Sequence, residues 1–245
     1  MARANIKALA CKFNGEWFSA LEESYKCLKE TNRIYVPSHE RLIAFNAWIQ
    51  HVLRDRCDPD SLQFFLETQT DLIASHMLAL LGSWRAGLIM LRSALENAVA
   101  GVYYKDHPVE MKLWIQGKFK IAVRDLIDYC CDHPDITSVR LAKLLRSQSK
   151  EEYALLSLAV HAGATSFRFS ENENDLWSLD KIKYSKWNTR SRETNRVLQL
   201  ILLLHFGDAI KGAKQRELRK CLGRIFPKRR RALIKSELLV NLDVT

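Results

Sequence analysis

Met77, Leu81, Trp84, Leu88, Leu91, Leu95, Ala98 and Val102 follow one another at alternating intervals of four and three. That is the spacing of one continuous apolar face on an α-helix, and it predicts a helix over 71–104. Gly87, Ala94 and Gly101 form a second stripe at intervals of seven, where small residues let another helix approach closely. The faces between are mostly small or apolar too, so this helix is expected to be the central, most buried one. Each glycine costs about 1 kcal/mol against alanine in a helix, a loss that close packing would offset. Clear period-two alternation is rare in the chain, and 9 Gly with 5 Pro are too few for a fold built on many tight turns. The expected class is all-α: a helical bundle with a long central helix and a basic C-terminal helical tail.

Spacings of three and four extend to both sides. A first helix is expected over 14–30, with Trp17, Leu21, Tyr25 and Leu28 on one face. Pro37-Ser38 opens a second, with Leu42, Phe45, Ile49 and Val52 or Leu53 inward. Asp60 and Gln63 read as a capping box for a third. Pro108 starts another, which Gly117 interrupts before a helix over 120–131. Two shorter helices are expected over 136–147 and 150–161, the latter ended by Ala162-Gly163. Residues 163–188 have no clear period, and a stretch of that length is often functional. A long apolar helix over 190–211 follows. Its most apolar run, Val197 to Phe206, is shorter than the roughly 20 residues a bilayer needs, so it reads as a buried helix and no membrane partner is expected. The expected organisation is one bundle domain over 1–212 and a basic extension over 213–245.

Charge is concentrated at that end. Lys plus Arg number 38 against 28 Asp plus Glu, a net +10. Lys211 to Lys235 alone holds eleven cations and one acid, Glu217, and so carries the whole excess. Such a block predicts an anionic partner, nucleic acid above all, with Lys220, Arg224, Lys228, Arg229, Arg230 and Arg231 as contacts. The competing reading is a solvated helix face. The six Cys have neither C-x-x-C nor zinc-finger spacing, so reduced thiols in a cytoplasmic protein are expected. Met1 to Phe13 is too weakly apolar for a signal peptide. No P-loop, G-x-G-x-x-G, H-E-x-x-H or Ser-His-Asp arrangement is present, and no metal or cofactor is expected.

Two polar groupings could carry chemistry. Arg85, Arg92 and Glu96 form the main polar stripe on the central helix; they serve either as a register-fixing ion pair or as a phosphate site. Tyr153, Ser157 and His161, spaced by four, share one face of a later helix; they either satisfy core polar groups or supply an acid, a base or an RNA contact. Arg92, Glu96 and His161 are the candidate catalytic residues. Over 163–192, Phe167, Phe169, Trp177, Tyr184 and Trp187 alternate with Arg168, Lys181, Lys183, Lys186, Arg190 and Arg192, a mixture suited to stacking bases or to docking the segment on its own core.

The same residues carry a family resemblance. Gly82-Ser83-Trp84-Arg85-Ala86-Gly87, then Leu91-Arg92-Ser93-Ala94-Leu95-Glu96 and Tyr103-Tyr104, resemble the core helix of HEPN-like helical proteins of bacterial defence and toxin systems. His107-Pro108-Val109-Glu110 with Trp114 and Gly117, and the run from Tyr153 through Leu156-Ser157 and Val160-His161-Ala162-Gly163, resemble later blocks of that group. The resemblance spans about residues 70–165. It implies an up-and-down bundle, often a homodimer, and RNA rather than DNA as target. Active members carry Arg, a polar residue, and a His after four to six intervening residues. The nearest match here, Arg124-Asp125 with His133, leaves eight, and Arg92 has no such His, so the ribonuclease motif is not carried over. The expected function is a HEPN-like defence or toxin-type protein acting on or binding RNA. The alternatives are a non-catalytic protein-interaction subunit and a nucleic-acid-binding regulator in a phage-defence system.

Overall fold

The computed structural model describes residues 3–30, 35–161, 181–211 and 215–244. Among them every regular element is helical, as the spacing predicts. The helices are α1 (Arg3–Glu30), α2 (Val36–Trp48), α3 (Arg54–Arg56), α4 (Pro59–Leu80), α5 (Trp84–Asp106), α6 (Pro108–Ile115), α7 (Val123–Asp132), α8 (Val139–His161), α9 (Lys181–Phe206), α10 (Arg216–Ile225) and α11 (Lys228–Leu238). A π-helical turn, Ile49–Leu53, joins α2 to α3, and a 3-10 turn, Gly207–Ile210, ends α9.

The helix expected over 71–104 is two helices. At Leu81-Gly82-Ser83 the Gly82 N–H reaches Ala79 O and the Ser83 N–H reaches Leu78 O. These are the paired bonds of a Schellman stop, with Gly82 at φ 79°. The apolar spacing runs through the stop without a break because α4 and α5 fold back as an antiparallel pair and bury facing stripes. Met77, counted in the stripe, is 51% exposed. Gly117, at φ 70°, ends α6 in the same way.

α5 lies at the centre, packed by α4, α6, α7, α8 and α9. Its buried residues include Trp84, Gly87, Leu88, Leu91, Ala94, Leu95 and the whole run Ala98 to Tyr104. The small stripe does what its spacing implies. Gly87 packs against Ser75 and Trp187: the Ser75 Oγ donates to Gly87 O at 2.6 Å and accepts from Trp187 Nε1 at 3.1 Å. Gly101 meets Phe65. α9 is buried along Val197 to Leu204, its polar Gln199 included, which accepts from Trp48 Nε1 at 2.7 Å and so ties α9 to α2. No helix among the described residues is long and apolar enough to cross a membrane.

Several boundaries differ from the sequence expectation. The third N-cap is Asp58, not Asp60: its Oδ1 accepts from the N–H groups of Asp60 and Ser61, with Pro59 at the first helical position. The helices expected over 136–147 and 150–161 are one, α8, because Ser149 is buried in its middle and does not mark a loop. α9 begins at Lys181, inside the stretch read as irregular. α1 begins eleven residues before the expected start at Asn14, and Tyr25, expected inward, is 67% exposed. The tail is helical as expected, and it is docked on the bundle. Leu218, Leu222, Phe226, Ile234, Val240 and Leu242 join the same core as α5 and α9.

Candidate nucleic-acid interface

The cations of 216–235 divide into two sets by what they touch. One set holds the tail in place. Arg231 donates to Gly223 O at 2.8 Å and Phe226 O at 2.9 Å, which satisfies the otherwise unpaired carbonyls at the end of α10, and also pairs with Asp243. Buried Arg219 donates to Asn241 O, and Arg230 reaches Gln148 on α8. Ser138, just before α8, donates to Glu237, so α11 runs antiparallel to α8. Arg230 and Arg231, expected to contact nucleic acid, therefore serve the fold first.

The other set points outward. On α11, Lys228, Arg229, Ala232, Lys235 and Ser236 are exposed on one face, with three cations and no acid. On α10, Arg216, Lys220 and Arg224 share the outer face with Glu217, and Arg224 pairs with Glu40 of α2 at 3.0 Å. The two faces follow one another at the Phe226-Pro227 corner. The helical period explains the division. Leu218, Leu222 and Ile225 fix the inner side of α10, and Ile234 that of α11, so alternate cations of the run fall on opposite sides.

Arg92 and Glu96 come together as an i, i+4 pair, Nε to Oε1 at 2.8 Å. Arg92 also donates to the Tyr153 hydroxyl at 2.9 Å and lies over that ring at 5.0 Å. Ser157 donates back to Tyr153 O, a bond within α8. Arg85 crosses to the end of α8, where its Nε and Nη2 donate to Ala159 O and Val160 O at 2.8 and 3.0 Å. The polar stripe of α5 is thus a seam along α8, in the register-fixing sense. His161 is not part of it. It is exposed at the last position of α8, about 12 Å along the helix from Tyr153. Arg124 and His133 stand at opposite ends of α7, roughly 14 Å apart.

Tyr184 and Trp187 are buried against Trp84, His76 and Ser38, so these two aromatics pack the core and are not free to stack on bases. Phe167, Arg168, Phe169 and Trp177 lie outside the described residues. Cys130 and Cys131 are buried free thiols, and burial pushes Cys131 up to about 11, as suits inert sulfur.

Sequence reasoning missed two polar clusters, because each draws its members from separate helices. Asp106 at the end of α5 accepts from Tyr129 at 3.0 Å and His133 Nε2 at 3.2 Å. The Asp135 N–H donates to His133 Nδ1, so both ring nitrogens are occupied and the imidazole fastens the end of α7. The other cluster is Glu152 on α8, which accepts from Arg190 at 2.9 Å and Thr194 at 2.9 Å beside a cleft of about 230 Å³. Burial raises the Glu152 carboxyl to about 7 against the opposing pull of Arg190. A carboxyl held above its unfolded value stabilises the fold below about pH 4.5, and that contribution is lost as pH rises through about 7. Glu152→Gln removes the charge and keeps one acceptor oxygen for Arg190, while its amide NH2 can donate to the Thr194 hydroxyl. The expected result is that the melting temperature of the variant gains on wild type as pH rises from 5 to 8; a constant difference would show that Glu152 is ionised throughout.

No family model, curated protein or solved structure matches the chain.

Proposed function

We propose that this chain is an RNA-binding protein of the HEPN-like defence or toxin type, which holds the RNA backbone on the outward faces of α10 and α11. The observation that carries the reading is the division of the basic run. One set of guanidiniums, Arg219 buried and Arg230 and Arg231 half-buried, fixes both helices, while Lys220, Lys228, Arg229 and Lys235 have no ion-pair partner among the described residues. Fixed cations on rigid helices suit phosphate contacts, which give affinity and orientation without sequence readout. Titration of a fluorescent single-stranded RNA between 50 and 200 mM salt tests it. Each phosphate contact adds about 0.7 to the log–log salt slope. Four contacts predict a slope near −3, and a slope near zero would remove the basis of the proposal.

The reading does not require chemistry at Arg92 and Glu96. Their pair is partly exposed, so Arg92→Ala is expected to cost about 1–2 kcal/mol through the lost Glu96 and Tyr153 contacts. RNA affinity is expected to stay within twofold. Loss of cellular toxicity in a folded, RNA-binding Arg92→Ala protein would point to a ribonuclease instead. The protein-interaction alternative draws on α6, where Val109, Trp114 and Ile115 are 65%, 44% and 59% exposed.

A further inference from the structure

A cleft of about 320 Å³ lies where the ends of α5, α9 and α11 meet the segment between α7 and α8. That is the size of a small-ligand site, and the groups around it are of the mixed kind such sites use. Three cations line it from separate segments: Arg56 at the end of α3, Lys105 in the last turn of α5, and Lys211 just beyond the 3-10 turn. Arg56 pairs with Asp208 at 2.8 Å, but both side chains are about half exposed. A pair of that kind is weak enough for Arg56 to turn to another anion. Lys105 gives one of its three N–H groups to Asp106, whose carboxylate also accepts from Tyr129 and His133. Lys211 is exposed and has no ion pair among the described residues. The remaining acid, Asp135, is 86% exposed at the rim. His205 adds no charge, since burial holds its imidazole down to about 4 while Nε2 donates to Cys130 O at 3.0 Å.

The carbonyl ends of helices draw cations, and several such ends converge here. Among the described residues, however, none of the three cations donates to a helix carbonyl. Their charge is therefore open to a ligand. Leu204 and the half-buried Leu238 add apolar wall, and the Thr137 hydroxyl with the carboxylates of Asp135 and Asp208 can accept from hydroxyl groups. Cations, apolar surface and hydroxyl acceptors in one cleft match a phosphate, a flat ring and a sugar in one molecule. We infer that this cleft binds a nucleoside monophosphate, either free or as the phosphate-bearing end of an RNA chain. The position of α11 brings the second source within reach. Leu238 ends that helix at the cleft, and Lys235 stands one turn earlier, about 60° round on the outward face. The cleft at Glu152 is unsuited to the same ligand, because Glu151 and Glu193 line it as well.

Calorimetric titration of the full chain with uridine monophosphate, uridine and inorganic phosphate tests the site. The nucleotide is expected to bind at least tenfold more tightly than either part alone. Lys211→Glu changes an exposed side chain with no ion pair, and is expected to weaken nucleotide binding at least fivefold with melting unchanged. Lys105→Gln is expected to weaken it likewise. RNA hexamers with and without a terminal phosphate then separate the sources. A gain of at least fivefold from the terminal phosphate, lost in Lys211→Glu, assigns the cleft to an RNA end; nucleotide binding without that gain assigns it to the free nucleotide. The outward faces of α10 and α11 are tested apart from this, since none of Lys220, Lys228, Arg229 and Lys235 lines the cleft. Failure to bind either the nucleotide or the terminal phosphate would overturn the inference, whatever the salt slope of RNA binding. So would nucleotide binding that both lysine variants leave unchanged.

Discussion

Replacing Lys220, Lys228, Arg229 and Lys235 together with glutamine is expected to lower affinity for single-stranded RNA roughly ten- to a hundred-fold near 100 mM salt, and to flatten the log–log salt slope by about 3. All four side chains extend from outer helix faces, and none makes an ion pair among the described residues, so the melting temperature should stay within about 2 °C of wild type. The choice of residues matters. A variant that takes in Arg231 also strips the donors from Gly223 O and Phe226 O, and leaves partly buried carbonyls without partners. Arg231→Gln alone should therefore lower stability while leaving the salt slope nearly unchanged. Two measurements on two variants separate phosphate contact from tail docking. If the quadruple variant binds like wild type, the outward faces do not hold RNA.

The second large effect is expected at Gly87. A Cβ built there would lie 3.1 Å from the backbone carbonyl of Ser75 and 3.2 Å from Trp187 Nε1. The first neighbour is helix backbone and the second is a fully buried ring already bonded to Ser75, so neither yields at small cost. Gly87→Leu must part α4 from α5 or expel the indole from its place. Overpacking of this kind costs about 1–3 kcal/mol, and here it also breaks the Trp187–Ser75 bond. For a domain of this size that is a fall of roughly 3–12 °C in melting temperature. Loss of the buried Trp187 environment should appear in tryptophan fluorescence. A Gly87→Leu protein with wild-type melting would mean that the small stripe does not set the helix spacing.

The helical class and the burial of α5 and α9 were legible because apolar period is a local property, repeated over many residues. Gly82 was legible in principle. The apolar residues on either side of the stop keep helical phase, so the pattern looks unbroken while the chain reverses. The division of the basic run was not legible. Arg231 and Arg229 look alike in sequence, and only the positions of Gly223 O, Phe226 O and Asp243 distinguish them. The same holds for Glu152, whose partners lie 38 and 42 residues away along the chain. Arg92 and Glu96 could be paired from their spacing of four, whereas the hydroxyl beneath Arg92 belongs to Tyr153, 61 residues on.

The position of α2 bears on how the chain folds as it is made. α4 and α5 are joined by a three-residue turn and can pair as soon as both have left the ribosome. The partners of α2 come much later: Trp48 bonds Gln199 across 151 positions, and Glu40 meets Arg224 across 184. Of α4, α9 and α10, the helices that pack most on α2 among the described residues, only α4 has been made before α9 and α10 emerge. Contacts of such separation form slowly and leave apolar surface open during synthesis. The nascent chain therefore carries an exposed α2 face through most of its translation, and that face is where chaperone capture, and aggregation when capture fails, should begin.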